Sequence, residues 1–151
     1  MRVRIVACGR WKSGPERALF DHYAGRITFP FELKEIEEKK NLPADVLKKR
    51  EGELLLAQVP DGVIIVALDE NGKSLSSAKF AEKLGQWRDD ARDVAFLIGG
   101  ADGLDGVVRK RAELVIGFGV QTWPHLLVRG MLAEQIYRVQ CILAGHPYHR
   151  N

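Results

Sequence analysis

The residues with the most chemistry to offer gather near the end of this 151-residue chain, which reads His-Pro-Tyr-His-Arg-Asn over 146–151. Imidazole, phenol and guanidinium groups in a region that usually frays point to a site built partly from this segment. Tyr148 and His149 can orient or deprotonate a nitrogen nucleophile, stack on a base, or pack the tail onto the domain. Upstream, Arg129 and Arg138 can donate to a phosphate or a base edge. Arg138 also stands four residues after Glu134, the spacing of an intrahelical ion pair. A second set of candidates carries glycine. Leu68–Gly72, Gly99–Leu104 and Gly117–Pro124 each follow an apolar run. Glycines at strand ends let a ligand reach backbone N–H and C=O groups.

Several familiar chemistries are excluded. Gly-Gly-Ala-Asp-Gly is neither a dinucleotide fingerprint nor a P-loop. Gly72-Lys73-Ser74 has the P-loop ending, but residue 67 is Ala where that motif needs glycine. His146 and His149 have no partners at metal-ligand spacing, so no metal is expected. No Ser-His-Asp order stands out. Asp69 and Asp102 read as a carboxylate pair or as solvated turn residues. His125, just after Pro124, reads as a capping or packing residue.

With 46% hydrophobic and 28% charged residues the composition is that of a globular chain, expected to form one domain over 1–151. No stretch approaches the apolar length of a bilayer span. Cys8 and Cys141 fall in apolar segments without metal spacing, as buried thiols of a reducing cytoplasm do. Net charge is only +3. Acidic residues dominate 32–38, whereas Arg109, Lys110, Arg111, Arg129, Arg138 and Arg150 lie late in the chain, giving either a local basic face or a mixed solvated surface.

The elements that must position these groups alternate. Val3–Cys8, Phe31–Ile36, Gly62–Leu68, Val94–Ile98 and Leu114–Ile116 read as strands. Helical spacing covers Pro15–Gly25 (Leu19, Tyr23 and Ala18 on one face, Ser13 placed to cap), Pro43–Val59, a segment capped by Ser76 or Ser77 and running through Trp87, Gly106–Ala112 and His125–Leu143. The last has Leu132, Ile136, Val139 and Leu143 as its apolar positions. Asp69–Lys73 reads as a loop. This alternation predicts an α/β fold with a largely parallel sheet.

Leu-Ile-Gly-Gly-Ala-Asp-Gly-Leu at 97–104, Thr-Trp-Pro-His at 122–125, the stretch LVRGMLAEQIYR at 127–138 and Gly-His-Pro-Tyr-His-Arg at 145–150 closely resemble the ribosomal RNA large subunit methyltransferase H family. These are SPOUT-class enzymes that methylate N3 of a pseudouridine in 23S ribosomal RNA. VRIVACGR, REGELLLAQ and VALDENGKSLSS extend the likeness across the chain. The resemblance implies a SPOUT-type parallel-sheet domain with a C-terminal deep trefoil knot. It implies S-adenosyl-L-methionine held by Leu68, Gly99, Gly100 and the run Phe118, Gly119, Val120, Gln121, Thr122 and Trp123. It further implies a cytoplasmic homodimer acting on ribosomal RNA or the ribosome. The final helix would lie at the interface, with Gly130 allowing close helix approach, and the tail would complete a site near the partner's cofactor. Arg138, Tyr148 and His149 are the expected catalytic set. A non-catalytic RNA- or ribosome-binding module of the same fold, or a SPOUT enzyme of transfer RNA, are the alternatives.

Overall fold

A computed structural model describes residues 1–150. Five strands, β1 (Val3–Cys8), β2 (Phe31–Ile36), β3 (Ile64–Lys73), β4 (Val94–Ile98) and β5 (Leu114–Ile116), alternate with five helices, α1 (Pro15–Ala24), α2 (Ala44–Ala57), α3 (Ser77–Asp89), α4 (Gly106–Arg111) and α5 (His125–Ala144). The strands form one sheet in the order β2-β1-β4-β3-β5. Every pairing is parallel. A parallel sheet is covered on both faces, so its strands read as unbroken apolar runs.

Alternate residues of each strand sort onto the two faces. Val3, Ile5, Val66, Phe96 and Ile98 pack with Phe20 of α1, Phe80 and Leu84 of α3, and Leu132, Ile136 and Val139 of α5. Val6, Cys8, Ile65, Ala67 and Leu97 face Leu55 of α2 and Val108 of α4. Three helices thus cover one face and two the other. All five strands end on the same edge, where the glycine-bearing segments begin.

Local signals account for most boundaries. Ser76 accepts from the Lys79 amide at 3.1 Å and starts α3; Asp105 does the same for α4 through Val107. Gly145, at φ 70°, ends α5 in the left-handed conformation. Ser13 does not cap α1. Gly14 holds that position with no side-chain bond, and Pro15 supplies the preset first turn. On α1 Phe20 is the buried residue and Ala18 is exposed; Phe20 and Tyr23 pack into the core, while Leu19 lies against Gly130 of α5. Leu143 is 37% exposed at the far end of α5.

Asp69–Lys73, expected as a loop, instead continues β3. Leu68 and Lys73 both pair with Ile116, so the intervening residues bulge out of the ladder before pairing resumes. Two glycines permit this. A Cβ on Gly72 would lie 2.5 Å from the Ile116 carbonyl carbon, and one on Gly117 2.5 Å from the Asp69 carbonyl oxygen. The segments 69–73 and 116–117 therefore pack backbone against backbone.

Candidate functional site

A cavity of about 310 Å³ opens at the carboxyl ends of β3, β4 and β5. That is the crevice where open α/β sheets bind ligands, and its size is within the small-molecule range. Leu68, Ile98, Ile116 and Phe118 give it an apolar floor, and Gly99–Leu104 gives it a wall of peptide groups. Gly99 is there because nothing larger fits: a Cβ would sit 2.5 Å from the Gly103 carbonyl oxygen. Gly103, at φ 81°, completes the turn, and the two arms meet in a Gly100–Gly103 bridge. The opposite wall is braced by side chains. Thr122 donates to Glu70 at 2.6 Å, and Trp123 Nε1 donates to the Phe118 carbonyl at 2.9 Å.

Charged groups line the rim. Arg109 donates to Asp69 at 3.0 Å, and Asn71 N to the same carboxylate at 2.8 Å. Burial pushes the Asp69 carboxyl up, but these bonds outweigh it and hold the group below the usual aspartate range. Asp69 and Asp102 are not a pair. Asp102 is exposed, and its charge acts on Glu51 of α2, whose carboxyl is raised first by burial and then by Asp102. A Cβ on Gly100 would lie 2.9 Å from a Glu51 oxygen. Burial, with Glu51 second, pushes the Cys8 thiol up to about 12, which keeps it protonated and unreactive.

The first turn of α5 forms the remaining wall through His125 and Val128. His125 does not cap the helix. Burial, then the neighbouring Arg129, lowers its imidazole below the usual value. Arg129 is fully buried and meets no solvent. Its Nη2 donates to the carbonyls of Cys8 and Gly9, each at 2.8 Å, and Nη1 lies 3.3 Å from Glu35. The Trp11 ring covers the guanidinium at 4.8 Å. Arg129 is thus a clamp between α5 and the end of β1, unavailable to a phosphate or a base edge and no part of a basic face.

A second constellation lies further along α5. Arg138 Nε donates to Glu134 at 3.0 Å, with Nη2 on the same oxygen, so the intrahelical pair expected from the spacing is present. Arg138 Nη1 meets His149 Nδ1 at 3.1 Å. The Tyr148 hydroxyl donates to Glu134 at 2.9 Å, and its ring stacks edge-on against Tyr137 at 4.8 Å and beneath Arg138 at 4.7 Å. The tail thereby folds back onto α5.

A family model described as predicted SPOUT methyltransferase matches residues 1–149. The ribosomal RNA large subunit methyltransferase H of Rhodospirillum centenum is 59% identical over 151 residues, 99% of each chain. The protein of that name from Paramagnetospirillum magneticum is 55% identical over the same span. The chain belongs to the SPOUT methyltransferase family. In fold it is similar to a ribosomal RNA small subunit methyltransferase E from Neisseria gonorrhoeae bound to S-adenosyl methionine. The TM-score is 0.52 at 10% identity, covering 92% of this chain and 66% of that one.

On this SPOUT chain the expected cofactor residues divide. Leu68, Gly99, Gly100, Phe118, Gln121, Thr122 and Trp123 line the large cavity. Gly119 borders a smaller pocket with Ser77 and Gln135, and Val120 is 93% exposed. Arg138, Tyr148 and His149 are brought together but do not line the cavity. From His125 to Arg138 the helix climbs about 20 Å at 1.5 Å per residue. Lys48, which lines the cavity, and Glu51, which faces Gly100, carry no motif that marks them in the sequence, whereas Asp69 and Arg109, expected in a carboxylate pair and a basic face, are instead bonded to each other at the rim. Among the described residues no group of three or more metal-ligating side chains forms, and no helix is long and apolar enough to cross a membrane.

Proposed function

We propose that this chain methylates N3 of a pseudouridine in large-subunit ribosomal RNA, using S-adenosyl-L-methionine, and works as a cytoplasmic homodimer. The observation that carries the reading is the split between the strand-end cavity and the Glu134–Arg138–Tyr148–His149 cluster. A methyl donor in the cavity needs the tail of a second copy to meet its acceptor. Close relatives named large subunit methyltransferase H support the substrate. The neighbour solved with bound S-adenosyl methionine supports the cofactor.

The cavity fits that cofactor. Its apolar floor suits an adenine ring. The peptide groups of Gly99–Leu104 and of the 117–123 segment, which includes the proposed contacts Gly119 and Val120, suit its polar edges. When bound, S-adenosylmethionine supplies a methyl group on a cationic sulfur, already activated toward a nucleophile. The chain's task is alignment: to present the ring nitrogen along the methyl axis, exclude competing water and stabilise charge as the N3 proton leaves to solvent. Arg138, Tyr148 and His149 are the proposed groups for that task. A C-terminal trefoil knot belongs to this proposal, supported by membership of the SPOUT family.

The test uses labelled S-adenosylmethionine with ribosomes, large subunits and naked ribosomal RNA from cells lacking the modification. Label at one pseudouridine, located by digestion and mass spectrometry, is the expected result. Cofactor binding without label in any of them would overturn the ribosomal substrate and leave transfer RNA or a binding-only role.

A further inference from the structure

Resting on that proposed reaction, we infer that Glu134 is a positioning residue that fixes the His149 ring with its proton on Nε2. His149 then meets the target ring as a hydrogen-bond donor to a carbonyl oxygen beside N3.

Four donors converge on one carboxylate. Glu134 Oε1 accepts from Arg138 Nε, Arg138 Nη2 and the Tyr148 hydroxyl, while Oε2 accepts from Gln135. Two arms of the guanidinium are committed to the carboxylate, and the third nitrogen, Nη1, is aimed at His149 Nδ1. A guanidinium has only N–H donors and no lone pair to offer. His149 Nδ1 must therefore be the acceptor, and the neutral ring carries its hydrogen on Nε2. The carboxylate raises Arg138 further, so this guanidinium keeps its protons. Tyr148 is no better placed as a base. Its hydroxyl already donates to Glu134, and burial, Tyr23 and Glu134 all push the phenol above its usual range.

What the tail presents is donors and positive charge. As N3 loses its proton, negative charge spreads over N3 and the two flanking carbonyl oxygens of the ring. A preorganised N–H aimed at one of those oxygens stabilises that charge. The proton itself passes to solvent water, so no side-chain base is required in the balance.

The first test needs no RNA. Nitrogen-15 spectra of the dimer with labelled histidine should show His149 Nδ1 as the unprotonated nitrogen. In Glu134→Gln the ring should populate both tautomers. The second test is kinetic. His149→Gln keeps an N–H donor and lacks a base, so its kcat should exceed that of His149→Phe by about tenfold or more. Glu134→Gln should lower kcat with little change in cofactor Kd; if it fails to fold, Arg138→Lys breaks the same fork. A protonated Nδ1 in the native dimer, or equal kcat for the Gln and Phe variants, would overturn the inference. Absence of any methyl transfer to ribosomal RNA would instead sink the proposed reaction, leaving the tautomer result to stand alone.

Discussion

Arg129 shows how a residue type can mislead when its partners are far off in sequence. A cation on an amphipathic helix reads as solvent-facing or ligand-facing, yet this one is sealed beneath Trp11 and bonded to Cys8, Gly9 and Glu35. Removing it strands two carbonyls and leaves Glu35 without its cation. Arg129→Met should therefore lower unfolding stability by about 3 kcal/mol in urea titration, since one half of a buried pair is lost. His125, next to it, gives a pH prediction. Its folded value lies below the ordinary 6.5, so the unfolded chain binds the proton more readily. Its contribution to stability is complete above that pH and fades as pH falls through it toward the folded value. Between about pH 7 and 5 the wild type should lose stability faster than His125→Asn, the difference being read from urea midpoints. The Glu134–Arg138 pair was legible because both partners lie one helical turn apart. The addition of Tyr148 and His149 to it was not, since the reversal at Gly145 sets where the tail lands.

At the scale of elements, the strands were legible because burial on both faces leaves long apolar runs. The continuation of β3 was not, because Asp-Glu-Asn-Gly-Lys has the composition of a turn and only its pairing with Ile116 makes it strand. Gly130 was read as room for a second copy. It is filled instead by the chain's own α1, where a Cβ would lie 2.8 Å from Leu19 Cδ2. That neighbour is the tip of a flexible side chain. Gly130→Ala should gain about 1 kcal/mol of helix propensity and lose a similar amount to crowding. Thermal melts should place it within a few degrees of wild type, with Leu19→Val in the same chain raising it further. Gly117→Ala has no such escape, because its neighbour is the Asp69 carbonyl on the backbone. It should cost more than about 2 kcal/mol and abolish cofactor binding by calorimetry.

At the scale of the molecule, the cavity and the tail cluster are separate on one protomer, and the proposed dimer makes a concrete demand. A Gly100→Val subunit would lack a cofactor site but keep a sound tail; a His149→Ala subunit would have the reverse. Each variant alone should fall far below wild type, yet an equal mixture after subunit exchange should reach about a quarter of wild-type activity. Recovery of none would mean that each protomer works alone.

The strand order carries a further consequence, for the time course of synthesis. β1 sits inside the sheet, with Val3 in register with Val94 on one side and with Phe31 on the other. The first strand to be made thus gains its second neighbour only after well over half the chain exists. Until then one apolar edge stays open to any passing strand. Such distant pairing slows folding and lengthens exposure to aggregation. A newborn chain of this topology must be kept from its siblings while it waits.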